Sequence, residues 1–150
     1  MAVLRDKPYP RINFVVDVGT GETEGPEAGL AEVILPSAQV NTIEYRSGND
    51  KELNAKLIHT LTRYGNLVLK RGVIGSLTWY GWWNAVRNGD SNAARTVTVS
   101  LLNEDRSSMV LTWKFLRARP VNYSFSPLNA LANEPLLETL ELAFERFEME

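Results

Sequence analysis

The sequence contains no cysteine, a single histidine and no long apolar run. Without cysteine there are no disulfide bonds, thiolate metal sites or thiol nucleophiles, so stability has to come from packing and assembly. No stretch approaches the roughly 18 apolar residues of a membrane span, and residues 1–14 lack the apolar segment of a signal peptide. We therefore expect a soluble chain that carries no cleaved export signal and does not insert into a membrane.

An excess of charge of one sign is also missing, since 16 basic and 18 acidic residues leave a net charge of -2. This balance argues against non-specific nucleic-acid binding. The distribution is uneven: residues 49–71 hold five basic and two acidic side chains, whereas residues 133–150 hold six glutamates and one arginine. Such polarity describes either two solvated faces or complementarity between copies of the chain. At 150 residues, we expect a single domain over residues 1–150.

Signatures of catalysis and of cofactor binding are scarce. His59 would have to serve any Ser-His-Asp triad, and no G-x-S-x-G motif accompanies it. The segment VDVGTGETEG at residues 16–25 fails as a dinucleotide fingerprint, because no helix start follows it and its glutamates would repel a pyrophosphate. Metal sites normally draw on several His or Cys ligands. We expect no enzymatic activity, no cofactor and no metal site; a small hydrolase using His59 is the weakest alternative.

Residues 64–88 carry the strongest local pattern, a strand that runs into a short amphipathic helix. Four large apolar side chains follow at i, i+3, i+4 and i+7, which predicts a helix with one apolar face: Trp79, Trp82, Trp83 and Val86. Ser76 is a good N-cap, and Asn88-Gly89 a good C-terminal stop. We expect this face to pack against a sheet, against another subunit, or both.

Alternating apolar and polar residues predict strands over most of the remaining chain. The predicted strands cover residues 12–18, 30–35, 39–46, 66–71, 95–102, 109–116, 121–125 and 137–149. The last has a phase change that indicates a bulge near Glu145. Residues 47–63 have no clean period and are predicted to form a long excursion, with a local strand or helix at residues 55–61. Seven or eight strands, one helix and no βαβ rhythm predict a mainly β fold, an antiparallel sandwich or barrel with the helix packed on it.

Five stretches, in this order, resemble the tail tube proteins of contractile phage tails and of phage-tail-like contractile injection systems. They are PYPRINFVVDV, IEYRSGND, YGNLVLKRGVIG, TVTVSLLNEDRSSMVLTWKFLRARPV and LNALANEPLLETLELAFERFEME. The resemblance implies a structural subunit that forms hexameric rings, with strands of all subunits joined into one continuous inner barrel. It also implies that the rings stack into a tube with sheath and baseplate proteins as partners and DNA or protein cargo in the lumen. Assembly in the cytoplasm and release as part of an extracellular particle are implied as well.

The resemblance gives the long excursion a role in contacts between subunits or rings. The candidate interface residues are Arg46, Asp50, Lys51, Glu52, Lys56 and Arg63. A lumen should be polar so that cargo does not adhere, which makes either of two groups candidates for its lining: Thr96, Thr98 and Ser100, or Glu141 and Glu145.

Two departures from the family pattern keep an alternative open. Residues 34–36 read Ile-Leu-Pro where many members have a Ser-Gly-Leu turn, and residues 19–29 are longer and more acidic than a minimal turn. The chain could therefore be a tube-initiating ring at the baseplate instead of the repeating subunit. A second alternative, from a different class, is a monomeric ligand-binding barrel of the OB type.

Overall fold

A computed structural model describes residues 2–150, which fold almost entirely into antiparallel β-structure. Within residues 2–150, nine strands and one α-helix follow one another, and a single turn of 3-10 helix lies at Pro26–Ala28. The elements are β1 (Phe14–Asp17), β2 (Glu32–Ile34), β3 (Ala38–Tyr45), β4 (Lys56–Tyr64), β5 (Leu67–Gly72), α1 (Thr78–Arg87), β6 (Arg95–Leu102), β7 (Met109–Phe125), β8 (Leu137–Ala143) and β9 (Arg146–Met149).

Seven of these strands form one antiparallel sheet that folds over at β7. The strand order is β1-β6-β7-β8-β5-β2, and β9 also pairs with β7. The first half of β7 pairs with β6 and β9, and its second half pairs with β8. The change of partner comes next to Arg117, whose φ of 54° lies in the left-handed region and bends the strand. We call β1, β6, β9 and the first half of β7 layer A, and β2, β5, β8 and the second half of β7 layer B.

The core lies between the two layers. Alternate residues of each strand point into it, so that fully buried pairs recur along the strands: Leu67 and Leu69 on β5, Val97 and Val99 on β6, and Leu140 and Leu142 on β8. The terminal strands β1 and β2 do not pair with each other. The two layers therefore form a sandwich whose barrel is not closed.

The helix α1 covers one open side of this sandwich. Trp79 and Trp82 are each 2% exposed and belong to the core, whereas Trp83 and Val86 are half-buried. Leu77, and not Ser76, occupies the N-cap position, so the predicted cap is wrong by one residue. The Ser76 hydroxyl still accepts a hydrogen bond from the Thr78 amide at 3.3 Å.

The mainly β class and the packed helix are confirmed. Most strand boundaries shift by one or two residues, and three differences are larger. The predicted strands at 109–116 and 121–125 are one strand, because Pro120 lies beside a register shift where a missing N–H is tolerated. The predicted strand at 137–149 is divided into β8 and β9 at residues 144–145, near the predicted bulge. Within the predicted excursion, residues 56–64 form β4, so the strand is correct and the helix is wrong.

Candidate subunit interface

A β-hairpin with largely exposed strands continues the ladder of layer B beyond the sheet. β2 pairs with β5, and β3, which follows β2, pairs with β4, which precedes β5. Between the two ladders the Gly65 amide donates to the Ser37 carbonyl at 2.9 Å. β3 and β4 pair only with each other. We call residues 38–64 the arm, and the two layers with α1 the body.

The base of the arm is anchored to the core by one aromatic side chain. The ring of Tyr64, the last residue of β4, lies 5.3 Å from the ring of Phe144 and 5.4 Å from that of Phe147. Both phenylalanines pack against the core cluster. Aromatic pairs at these distances contribute beyond their buried area. The arm therefore starts from a fixed position even though its strands leave the body.

The strands of the arm expose apolar side chains that a monomer would normally bury. These side chains are between 44% and 69% exposed: Val40, Ile43, Tyr45, Leu57, Ile58 and Leu61. An isolated two-stranded hairpin is only marginally stable in water, and a cluster of exposed apolar side chains marks an interaction surface. The arm thus carries apolar side chains of the kind that are normally buried, but no layer of its own chain covers them.

The register of the arm sorts these side chains onto two faces. Ile43 pairs with Ile58, and Tyr45 pairs with Lys56. Because paired residues lie on the same side of a ladder and residues two apart share a face, these four side chains form one surface. We call it the arm face: three apolar side chains with one lysine.

Two of the six predicted interface residues build the turn at the tip of the arm. The Arg46 guanidinium donates to the Glu52 carbonyl and to the Asp50 carbonyl, each at 3.0 Å. The Asp50 carboxylate accepts the Ser47 amide at 3.1 Å. Arg46 and Asp50 therefore shape the arm. The side chains of Lys51, Glu52, Lys56 and Arg63 are exposed and take part in none of the ion pairs found within residues 2–150.

The body has unpaired strand edges in both layers. β1 pairs only with β6, and β2 pairs only with β5. A groove with a volume of about 640 Å³ lies beside β1, between loop residues 23–30 and 106–109. Unpaired edges are templates for strands of another chain. The body can therefore extend its sheet through a neighbour at each end of the strand order.

The predicted lumen residues fall on opposite sides of the molecule. Thr98 pairs with Lys114 on the outer face of layer A, whereas Glu141 lies on the outer face of layer B and accepts hydrogen bonds from Asn66 and Asn122 at 3.0 and 3.3 Å. Thr96 is exposed on β6, and Glu145 forms an exposed ion pair with Arg117 at the bend. Ser100 is 3% exposed and has almost no surface to offer a lumen. A single lumen can adjoin only one of the two outer faces.

A buried ion pair inside the body was not predicted. Arg71 and Glu138 are 1% and 2% exposed, and they form a salt bridge. Arg71 also donates to the Glu27 carbonyl at 2.9 Å, and its guanidinium lies 4.2 Å from the centre of the Trp79 ring. The Tyr123 hydroxyl donates to the other Glu138 oxygen at 2.5 Å. Burial, followed by this hydrogen bond, raises the pKa of Tyr123 above its usual value.

The alternation of apolar and polar residues in the sequence could have indicated this ion pair. Arg71 is in phase with Leu67 and Leu69 on β5, and Glu138 is in phase with Leu140 and Leu142 on β8. Both charges therefore occupy core positions of their strands, directly opposite each other in the register. Charges at core positions have to be paired.

His59 is exposed on β4, away from the body. No group of three or more metal-ligating side chains is found within residues 2–150. In the same part of the chain, no helix has the length and hydropathy needed to cross a membrane.

The family of the T4-like virus tail tube protein gp19 matches residues 10–148. The chain belongs to this tail tube family. It is a structural tube subunit, as the resemblance in the sequence predicted. No curated protein matches the chain.

Solved structures share the fold over nearly the whole length. A chain in the cryo-EM structure of the anti-feeding prophage baseplate is 25% identical, with a TM-score of 0.82 and 97% of both chains covered. A chain of the sheath-tube complex of PVC, an extracellular contractile injection system, is 24% identical, with a TM-score of 0.82 and 95% and 91% coverage. Hcp1 from Flavobacterium johnsoniae is 19% identical, with a TM-score of 0.57 and 91% and 93% coverage. The last two likenesses show a common fold.

Proposed function

We propose that this tail tube subunit forms hexameric rings that stack into a hollow tube inside a contractile sheath. The observation that carries the proposal is the arm, which projects from the body with its apolar side chains uncovered. The unpaired edges of β1 and β2 add a second incomplete surface. Sheet closure around a ring removes such edges, and burial of the arm on a neighbour removes its apolar side chains from water.

Electron microscopy of the purified protein tests this proposal. We expect six-fold rings or tubes at high protein concentration. A monodisperse particle with the mass of one chain would contradict it and would favour the monomeric ligand-binding barrel. The double charge reversal Lys51→Glu, Lys56→Glu on the arm should weaken stacking, and added salt should reduce the difference from the wild type. Unchanged assembly of this variant would exclude the two lysines from the interface.

The outer face of layer B is proposed to line the lumen. This face carries Glu141 together with Asn122 and Thr139, and its ladder runs into the arm, so a barrel built from it continues toward the next ring. The cysteine-free sequence allows Glu141→Cys and Thr98→Cys to be compared in assembled tubes. The cysteine at position 141 should react with a small maleimide and resist a bulky polymeric one, whereas the cysteine at position 98 should react with both. The reverse result would place layer A at the lumen.

The lumen of the tube is proposed to hold DNA or a protein cargo, without any chemical step on it. The family is structural, and the one histidine of the chain lies on the exposed arm. His59→Ala should therefore leave the release of cargo unchanged wherever it leaves tube assembly unchanged. We further propose that assembly takes place in the cytoplasm, before the particle is released.

A second candidate is a ring at the end of the tube. The likeness to a chain of the anti-feeding prophage baseplate favours it, since that chain is 25% identical over 97% of both chains. An initiating ring should form hexamers that do not stack with themselves. Long tubes from the purified protein alone would exclude this role.

A further inference from the structure

A second exposed apolar surface lies at the end of layer B opposite the arm. It is formed by the connection between β5 and α1, by Phe125 at the end of β7 and by the loop between β7 and β8. The Val73 amide donates to the Leu136 carbonyl at 2.9 Å, which holds the two segments side by side. We call their exposed apolar side chains the end patch: Val73, Ile74, Leu77, Phe125, Leu128 and Leu131. Leu128 and Leu131 are 87% and 89% exposed.

The arm and the end patch cannot cover each other within one chain. β5 separates them, because its first residue, Leu67, follows the arm and its last residue, Gly72, precedes the patch. Six residues of strand span about 20 Å. The apolar side chains of both surfaces are exposed in the same subunit. Each surface is therefore available to another copy.

The two surfaces are complementary in charge as well as in hydrophobicity. The arm face contains Lys56 and no acidic side chain, whereas residues 73–77 and 126–136 contain Glu134 as their one charged residue. Five of the six glutamates in residues 133–150 have a hydrogen-bond or ion-pair partner inside the body: Glu138, Glu141, Glu145, Glu148 and Glu150. Glu134 takes part in none of the ion pairs found within residues 2–150. The excess of acidic residues at residues 133–150 therefore leaves one unpartnered carboxylate, that of Glu134, in the two segments that carry the end patch.

We propose that the end patch of one subunit receives the arm face of a second copy in the adjacent ring, with Lys56 of the arm beside Glu134 of the receiving copy. This inference rests on the proposed stacking of rings. The contact joins two different surfaces at opposite ends of the subunit, so it is heterologous and repeats along an axis without closing. It supplies both the burial that the arm lacks and the direction in which the tube grows.

A charge exchange tests the polar part of this contact. Lys56→Glu and Glu134→Lys should each lower the association constant between rings about 5-fold at low salt, as an exposed pair does. The double variant should restore stacking, because the two reversed charges again face each other. Lys7→Glu, on an exposed lysine outside the arm, is the matched control and should stack as the wild type does. Absence of restoration in the double variant would overturn the pairing.

Cross-linking tests the apolar part, and the lack of native cysteine removes any background. The double variant Tyr45→Cys, Leu131→Cys, treated with a short bis-maleimide, should give a ladder of covalent multimers. The control Tyr45→Cys, Ile12→Cys uses a residue that is 75% exposed and lies just before β1, and it should give no ladder. A ladder from the control alone would overturn the proposal.

The outcome for wild-type protein separates the two hypotheses. If the wild type forms neither rings nor tubes, the proposed function fails. If it forms tubes and both the charge exchange and the cross-link fail, only the proposed contact fails. If Leu131→Ser leaves the tubes intact but prevents a sheath from assembling on them, the patch binds the sheath, and the proposal is also overturned.

Discussion

The strands β4 and β5 are consecutive in the chain and differ completely in their surroundings. In β5 every second residue is fully buried, whereas β4 has no buried residue. Both belong to regular antiparallel ladders, and both carry leucine. The difference is therefore not one of backbone hydrogen bonding. It lies in whether the chain itself supplies a second layer to cover the strand.

The charges of the two regions differ in the same way. In the body, ion pairs join residues far apart in sequence, including the buried pair of Arg71 and Glu138. In the arm, the one guanidinium with hydrogen bonds, that of Arg46, bonds to carbonyl groups of its own turn. The charged groups of the body are thus paired within the body. In the arm, the hydrogen bonds of Arg46 fix the turn, and the charged and apolar side chains stay exposed and available to a partner.

The largest effect is expected from breaking the buried ion pair of the body. Arg71→Ala leaves the Glu138 carboxylate buried with only the Tyr123 hydroxyl as partner, and it should lower the free energy of unfolding by about 3–5 kcal/mol. Urea unfolding of the unassembled subunit measures this. Arg146→Ala, which removes an exposed pair with Glu148, is the control and should cost at most about 1 kcal/mol. Equal losses would mean that burial does not set the strength of these pairs.

The same chemical change on adjacent strands should sharpen the contrast. Leu69→Ala removes a fully buried side chain of β5 and should cost about 2–5 kcal/mol, whereas Leu61→Ala, at a residue 69% exposed on β4, should change stability by no more than about 0.5 kcal/mol. Unfolding curves of the two unassembled variants measure the difference. A large loss for Leu61→Ala would show that the arm already packs on the body in solution.

This contrast also explains which parts of the structure the sequence could predict. Alternation in the first part of residues 95–102 reflects the core face of β6, where Val97 and Val99 are buried, and β6 has the predicted bounds. Residues 56–64 show little alternation because both faces of β4 lie outside the core of their own chain, so no internal burial selects a period of two. The structure of the arm tip could not be predicted either. Arg46 holds the tip by hydrogen bonds to backbone carbonyl groups, and the pattern of side chains in the sequence does not indicate such bonds.

Other features needed knowledge of the register. The phase of each strand shows that Arg71 and Glu138 occupy core positions, but that they pair with each other depends on β5 lying beside β8. Likewise, the two predicted lumen groups could not be assigned to opposite faces until the bend of β7 at Arg117 was known. The sequence thus predicts which residues of a strand share a face, whereas the pairing of distant strands determines what each face contacts.

A smaller, local effect is expected at the tip of the arm. Arg46→Ala removes two hydrogen bonds to the carbonyl groups of Asp50 and Glu52, worth roughly 1 kcal/mol in all, so amide exchange of the tip should rise about 5-fold. Hydrogen exchange of the unassembled subunit measures this. The amides of the body should exchange at the wild-type rate. Faster exchange throughout the body would show that the arm and the body unfold as one unit.

The smallest effect concerns the N-terminal segment, which forms an ion pair with the body through Arg5, whereas no residue of the arm forms one within residues 2–150. The Arg5 guanidinium donates two hydrogen bonds to Glu104, and this contact, aided by the Glu104 amide, lowers the pKa of that carboxyl from 4.5 to about 2. Because the folded pKa is below the unfolded one, the contribution of this contact is present above about pH 4.5 and is lost as the pH falls toward 2. An NMR titration should find Glu104 ionised at pH 3 and, in Arg5→Gln, titrating near its ordinary value. Arg11→Gln, on the same segment but without a contact to Glu104, should leave the low pKa unchanged, and an ordinary pKa in the wild type would mean that the segment is as free as the arm.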